Sequence, residues 1–137
     1  MGVTAIKSIA NQITGVTYLV RNLENPNDTG GPGQYITIGP GENRRVNMWI
    51  PWCNNQVDFG NGKRITLEAL GTIQQEATGT IQQEMSANPD NFTIWQRGDY
   101  VYFSLDDRFE TGQLVAGNST VNGDRSVEIT NGSLRFY

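Results

Sequence analysis

The fold is decided by the stretch VEITNGSLRFY, residues 127–137. Apolar and polar side chains alternate on both sides of Asn131-Gly132, as they do in two strands that each bury one face. Asn-Gly is the dipeptide that best suits the left-handed backbone of a two-residue type I′ turn. The stretch therefore predicts a β-hairpin.

Two further hairpins are predicted upstream. The aromatic-rich segments FTIWQ (92–96) and YVYFS (100–104) flank Arg97-Gly98-Asp99, which we interpret as a three-residue turn. The other hairpin is expected from Asp58 to Leu70, with its turn at Gly60-Asn61-Gly62.

Turn residues recur along the whole chain and leave apolar runs of about five to eight residues, a length typical of strands rather than helices. A chain of 137 residues has the size of one domain. We therefore predict a single all-β domain over residues 1–137, an antiparallel β-sandwich or jelly-roll-like barrel with about six to nine strands. A β-trefoil is the alternative, although we find no threefold repeat in the sequence.

The core of this domain follows from the alternation of side chains along the predicted strands. Every second side chain of a strand faces the same side of the sheet. The predicted core residues are Tyr18, Val20, Ile36, Ile38, Val46, Met48, Ile50, Ile65, Leu67, Ile94, Val101, Phe103, Val127, Ile129, Leu134 and Phe136.

The residue inventory excludes several kinds of active site. The chain has no histidine and one cysteine, Cys53, so it contains no Ser-His or Cys-His catalytic pair, no His-ligated metal and no internal disulfide. Because no histidine can activate the thiol, we expect Cys53 to be a buried structural residue.

Asp106, Asp107 and Glu110 form the densest acidic group. Paired carboxylates catalyse glycoside hydrolysis, and a carboxylate-based glycoside hydrolase is therefore the third candidate function. The same group, joined by Asp90 or Asp124, is also a candidate for binding calcium, although the chain has no twelve-residue calcium loop. Acidic side chains in turns are usually solvated, so we expect no catalytic residue, no metal site and no cofactor.

The net charge of −4 is unevenly distributed. Residues 1–65 carry six basic and four acidic side chains, whereas residues 66–124 carry two basic and nine acidic ones. An acidic protein lacks the positive surface of nucleic-acid-binding proteins, and we predict no nucleic-acid partner. The doublets Arg44-Arg45 and Lys63-Arg64 form a small anion-binding patch only if their strands pair; otherwise they are solvated strand ends.

The most distinctive stretch is MWIPWCNNQ, residues 48–56, which combines two tryptophans with three side-chain amides. A sugar ring stacks its C–H face on an aromatic side chain, and its hydroxyls need amide or carboxylate partners. The competing expectation is that Trp49 or Trp52 fills the core between two sheets. The predicted ligand-binding residues are Trp49, Trp52, Asn54, Asn55, Gln56 and Asp58.

The sequence as a whole predicts a non-catalytic, lectin-like module that binds a glycan or another cell-surface ligand, and not an enzyme. The alternative is a secreted toxin or elicitor that acts on a host membrane or cell surface, because tryptophans favour the membrane interface. The sequence also contains a tandem repeat over residues 69–84, ALGTIQQE followed by ATGTIQQE. It is either a short duplication in a loop or at a strand end or, for a toxin, a long hairpin or extended arm.

The sequence says less about localisation and oligomeric state than about the fold. No apolar run is long enough to span a membrane, and the first residues lack a signal-peptide pattern, so we expect a soluble protein. If the protein is secreted, either its signal peptide is absent from this chain or it uses another route. The oligomeric state is left open.

Overall fold

A computed structural model describes residues 4–31, 33–70, 90–130 and 132–137. Within these residues, eleven strands form two sheets of five and six strands, and neither sheet closes into a barrel. The all-β prediction is confirmed in its sandwich form. In chain order the strands are β1 (Thr4–Asn11), β2 (Thr17–Asn22), β3 (Ile36–Ile38), β4 (Asn43–Trp49), β5 (Ile65–Leu70), β6 (Phe92–Arg97), β7 (Tyr100–Ser104), β8 (Gln113–Leu114), β9 (Ala116–Gly117), β10 (Gly123–Thr130) and β11 (Ser133–Phe136).

Among the described residues, three short helices lie between the strands. The α-helix α1 spans Gln56–Gly60, and two 3-10 helices span Pro26–Thr29 and Phe109–Thr111. The first sheet has the order β4-β1-β10-β11-β9, in which β1 is antiparallel to β4 and parallel to β10. The second sheet has the order β3-β2-β5-β6-β7-β8 and is antiparallel throughout.

The two hairpins predicted from the clearest turn signals are present. In β10–β11, Thr130 pairs with Ser133, which confirms a two-residue turn, and Gly132 has a positive φ of 69°. In β6–β7, Arg97 pairs with Tyr100. That turn therefore has two residues rather than the three predicted.

The predicted hairpin from Asp58 to Leu70 is wrong. Residues 56–60 form α1 instead, and only the second half of the segment is a strand. The side-chain oxygen of Asn55 accepts a hydrogen bond of 2.9 Å from the backbone N–H of Asp58, which caps the start of the helix. This local bond replaces the first strand of the expected hairpin.

The main core lies between the two sheets. All predicted core residues are buried except Ile36 and Val46, which are partly buried and pack against the same core. The prediction did not include β1, whose Ile6 and Ile9 are fully buried. A β-bulge between Ile6 and Ser8 shifts the register, so two residues three positions apart face the same side.

A buried polar bridge joins the sheets at one end of the sandwich. Gln96 in β6 is 1% exposed, and its side chain accepts a hydrogen bond of 2.8 Å from the hydroxyl of Thr4 in β1. The same amide donates to the backbone carbonyl of Ile50. The backbone of Gln96 also bonds to Pro51 and Cys53. The segment that follows β4 is therefore fixed alongside β6, where it reaches the outer face of the second sheet.

Candidate functional site

A second apolar cluster lies on the outer face of the second sheet. Along β6, Ile94 packs in the core between the sheets, so its neighbour Trp95 faces the other side. Trp95 is nevertheless only 1% exposed, because residues outside the sheet cover it. The outer cluster consists of Cys53, Phe59, Trp95, Tyr102 and Phe109.

Aromatic contacts hold the outer cluster together. The ring of Phe59 meets Trp95 edge-on, with centroids 5.2 Å apart. Tyr102, which lies opposite Trp95 in the β6–β7 register, has its ring nearly parallel to the indole at 6.3 Å. Phe109 lies 5.7 Å from the indole centroid. Such pairs stabilise an aromatic cluster beyond the area they bury.

Gly112 allows one wall of the cluster to approach Trp95 closely. A Cβ atom built on this glycine would lie 2.5 Å from Cζ2 and 2.9 Å from Cη2 of the indole. No side chain fits in that space, so the requirement for glycine is steric.

An open cleft of about 440 Å³ lies beside the outer cluster. This volume is within the range of about 300–1,000 Å³ that is typical of small-molecule sites. We call it the Trp95 cleft. Its described lining residues are Asn54, Asn55, Gln56, Trp95, Arg97, Tyr102, Phe109, Glu110 and Gly112.

Two polar groups at the Trp95 cleft have no hydrogen-bond or ion-pair partner among the described residues. The indole N–H of Trp95 is buried without an acceptor. The guanidinium of Arg97 lies 5.2 Å from the ring centroid of Phe109, outside the ion pairs found in the described part of the chain. Glu110, by contrast, lies 3.6 Å from Arg108. Both of these groups, the indole N–H of Trp95 and the guanidinium of Arg97, are hydrogen-bond donors.

The predicted ligand-binding residues are divided between two clefts. Asn54, Asn55 and Gln56 line the Trp95 cleft. Trp49 and Trp52 line a smaller cleft of about 110 Å³, together with Glu24, Asn25, Ile50, Pro51 and Gln96. Asp58 lies in α1, where its carboxylate accepts a hydrogen bond of 3.1 Å from the backbone N–H of Asn54.

Neither Trp49 nor Trp52 fills the core between the sheets, so that competing expectation is wrong. Trp49 is 56% exposed at the end of β4, and Trp52 is partly buried. The buried tryptophan is Trp95, which the sequence analysis named only as part of a hairpin. The sequence does carry a signal for its position: Trp95 follows a residue predicted to face the core, so it must face outward.

Cys53 is buried in the outer cluster, as predicted. Its Sγ donates to the backbone carbonyl of Asn55 at 3.6 Å. Burial, together with the nearby charge of Asp58, raises the pKa of the Cys53 thiol to about 11. Since the thiolate is the nucleophilic form, Cys53 is held in its unreactive state near neutral pH.

The acidic group at residues 106–110 is divided among separate partners. The hydroxyls of Thr111 and Ser104 donate to Asp106 and lower the pKa of its carboxyl. Asp107 forms an ion pair with Arg64 at 3.1 Å. Across the described ranges, no three His, Cys, Asp or Glu side chains are grouped in a way that could hold a metal ion.

The two basic doublets do not form a joint patch. Arg44-Arg45 lies in β4 of the first sheet, whereas Lys63-Arg64 precedes β5 of the second sheet. Lys63 and Arg64 are each paired with an acid, at 2.7 and 3.1 Å. The condition set for an anion-binding patch, pairing of the two strands, is therefore not met.

Comparison of the chain with protein-family models, curated proteins and solved structures found no match. The part of the chain that is described contains no helix both long and apolar enough to cross a membrane. Apart from residues 69 and 70, the tandem repeat lies outside the described residues.

Proposed function

We propose that this protein is a non-catalytic glycan-binding protein whose site is the Trp95 cleft. One observation carries the proposal: the cleft combines the partly exposed rings of Tyr102 and Phe109 with the exposed side-chain amides of Asn54, Asn55 and Gln56. Aromatic rings offer a surface for the C–H face of a sugar. Amides both donate hydrogen bonds to hydroxyls and accept them.

The support around the cleft favours binding without large rearrangement. Trp95 and Phe59 form a buried base beneath the rings, and α1 holds the amide side chains at its capped start. A site that is ordered before the ligand arrives loses less conformational entropy on binding.

The carboxylates support binding rather than hydrolysis. Among the described residues that line the Trp95 cleft, Glu110 is the one acid. Hydrolysis of a glycoside requires two carboxyl groups that flank the scissile bond. Asp106 and Asp107 are bonded instead to neighbouring hydroxyls and to Arg64.

Calorimetric titration with a glycan library tests the proposal. We expect at least one glycan to bind. Replacement Phe109→Ala should weaken its binding by about fivefold, since one aromatic contact contributes about 1 kcal/mol. Trp49→Ala is the matched control, because Trp49 is an exposed aromatic residue of the smaller cleft. Its affinity should stay within about twofold of wild type.

Two outcomes would count against the proposal. If no glycan in the library binds, the proposed function is wrong. If Trp49→Ala or Trp52→Ala abolishes binding while Phe109→Ala does not, the glycan occupies the smaller cleft and the site is wrong.

A second candidate, docking on a membrane surface as a toxin or elicitor, is favoured by the 56% exposure of Trp49 beside Trp52. Tryptophan side chains partition to the membrane interface. Glycan-free zwitterionic vesicles test this candidate: it predicts binding and leakage that Trp49→Ala removes. A protein that only binds glycans leaves these vesicles unbound.

A further inference from the structure

Arg97 is the unneutralised charge of the Trp95 cleft. It ends β6, is exposed, and lies over the ring of Phe109. The three ion pairs of the described residues do not include it. The acid that lines the same cleft, Glu110, is already within 3.6 Å of Arg108. No described neighbour therefore satisfies the positive charge of Arg97.

Other polar groups in the wall of the cleft are also donors. The side-chain oxygen of Asn55 is occupied by the backbone N–H of Asp58, which leaves its NH₂ group for a ligand. The exposed side-chain amides of Asn54 and Gln56 also carry NH₂ donors at this wall. A ligand that supplies acceptors can bond to these exposed donors.

We propose that the glycan bound in the Trp95 cleft is acidic and that Arg97 binds its anionic group. This inference rests on the proposed glycan-binding function. The anionic group is either a carboxylate or a sulfate ester on the sugar. Both present a pair of anionic oxygens to Arg97. The planar guanidinium binds two such oxygens at once. The guanidinium carbon of Arg97 lies 5.2 Å from the ring centroid of Phe109, a cation–π contact that helps to hold the side chain at the cleft.

The negative net charge of the protein does not oppose this ligand strongly. At physiological salt, charges more than about 8 Å apart are largely screened. The anion therefore interacts mainly with the charged groups of the described lining, which are Arg97 and Glu110, and Glu110 is paired with Arg108 at 3.6 Å.

Matched pairs of neutral and acidic sugars test the inference by calorimetry. We would compare oligomers of galactose with oligomers of galacturonate, and a neutral galactan with its sulfated form. The acidic member of at least one pair should bind at least tenfold more tightly than the neutral member. The pair that shows the preference distinguishes carboxylate from sulfate as the source of the anion.

Arg97→Gln should remove this preference, lowering affinity for the acidic sugar by about tenfold and leaving that for the neutral sugar nearly unchanged. Arg45→Gln is the matched control. It removes one positive charge from an exposed position in β4 of the opposite sheet and should change neither affinity by more than twofold. An equal loss in both variants would overturn the role of Arg97, because it would show a general charge effect.

A third variant separates the donor of Asn55 from its structural role. Asn55→Asp keeps an oxygen that can cap α1 but replaces the NH₂ donor with a negative oxygen. It should weaken binding of the acidic sugar more than binding of the neutral sugar. The opposite order would contradict the inference.

The outcomes also separate this inference from the proposed function. If neutral and acidic sugars bind equally well, the inference is wrong while glycan binding stands. If no sugar binds, the proposed function itself fails. If the acidic preference survives Arg97→Gln, a different group recognises the anion and the assignment to Arg97 is wrong.

Discussion

The protein has two apolar clusters that are built in different ways. The core between the sheets is formed by strands of both sheets, and it contains the residues that alternation predicts. The outer cluster is covered by α1, the segment before it and the Phe109–Thr111 turn. The core has strands on both sides, whereas the outer cluster opens to the Trp95 cleft. The core therefore holds the two sheets together, whereas the outer cluster borders an open cleft.

The largest expected effect comes from a cavity in the core. Leu67→Ala, at a fully buried position of β5, should lower the free energy of unfolding by about 2–5 kcal/mol. Leu70→Ala is the control in the same strand, since Leu70 is 37% exposed, and it should cost less than about 1 kcal/mol. Urea denaturation measures both. Equal losses of unfolding free energy in the two variants would contradict the prediction that burial between the sheets makes Leu67 more important for stability than Leu70.

The core could be predicted from the sequence because its signal is local. Alternation within a strand identifies Tyr18 and Val20 without knowledge of any other strand. β1 escaped the same reasoning because the bulge after Ile6 breaks the period of two. The start of α1 also carries a readable signal, an Asn at position 55 followed three residues later by an Asp, which is typical of a helix N-terminus.

The outer cluster could be predicted only in part. The sequence identifies the amides at residues 54–56 and shows that Trp95 faces outward. It does not reveal that Phe59, Phe109 and Gly112 cover the indole, because these contacts join segments far apart in the chain. Trp49 and Trp52, which are close in sequence to the amides, line a different cleft. The prediction grouped the amides with these tryptophans because they are close in sequence, whereas the aromatic side chains that line the same cleft as the amides come from distant segments.

The second largest effect is expected at Gly112, which lies close to the indole of Trp95 in the outer cluster. Gly112→Ala should destabilise the protein by about 1–3 kcal/mol, because the added methyl group overlaps the indole of Trp95. The fluorescence of Trp95 should change as its ring is displaced. Gly60→Ala is the matched control, since a Cβ there meets nothing within 4 Å. An unchanged stability in Gly112→Ala would mean that the wall of the cleft yields at no cost.

Alkaline titration compares the two clusters through one buried group in each. Burial, with Asp90 nearby, raises the pKa of Tyr18 in the core to about 12, and burial raises that of Cys53 in the outer cluster to about 11. Both groups hold their protons more tightly when folded, so their stabilising contributions are complete below pH 9. The contribution of Cys53 is lost as pH rises through 11, and that of Tyr18 as pH rises through 12.

Variants assign the two parts of this pH dependence. In the wild type, the free energy of unfolding should fall between pH 9 and 12. Cys53→Ala should reduce the part of this fall that lies between pH 9 and 11 by about 1–2 kcal/mol, and Tyr18→Phe should reduce the part between pH 10 and 12 by a similar amount. Urea denaturation at each pH measures the slopes. Stability that rises with pH over this range in the wild type would contradict the argument.

The smallest effect on stability is expected at the rim of the Trp95 cleft. Arg97→Gln should lower the free energy of unfolding by less than about 1 kcal/mol, because the side chain is exposed, forms no ion pair with a described residue and loses only its cation–π contact with Phe109. Thermal denaturation measures the change. A loss above 2 kcal/mol would show that Arg97 supports the outer cluster and would weaken the contrast between binding and folding.

The position of β1 also determines when the first sheet can be completed during synthesis. Thr4 pairs with Gly123 and Asn11 with Ile129, so the ribosome must add more than one hundred residues after β1 before its parallel partner exists. Until then β1 can pair with β4, but its other edge presents free backbone groups to any neighbouring nascent chain. Because these contacts are so distant in sequence, we expect slow folding that is completed only after translation of β10. A strand that is central in the finished sheet is thus an exposed edge while the chain is being made.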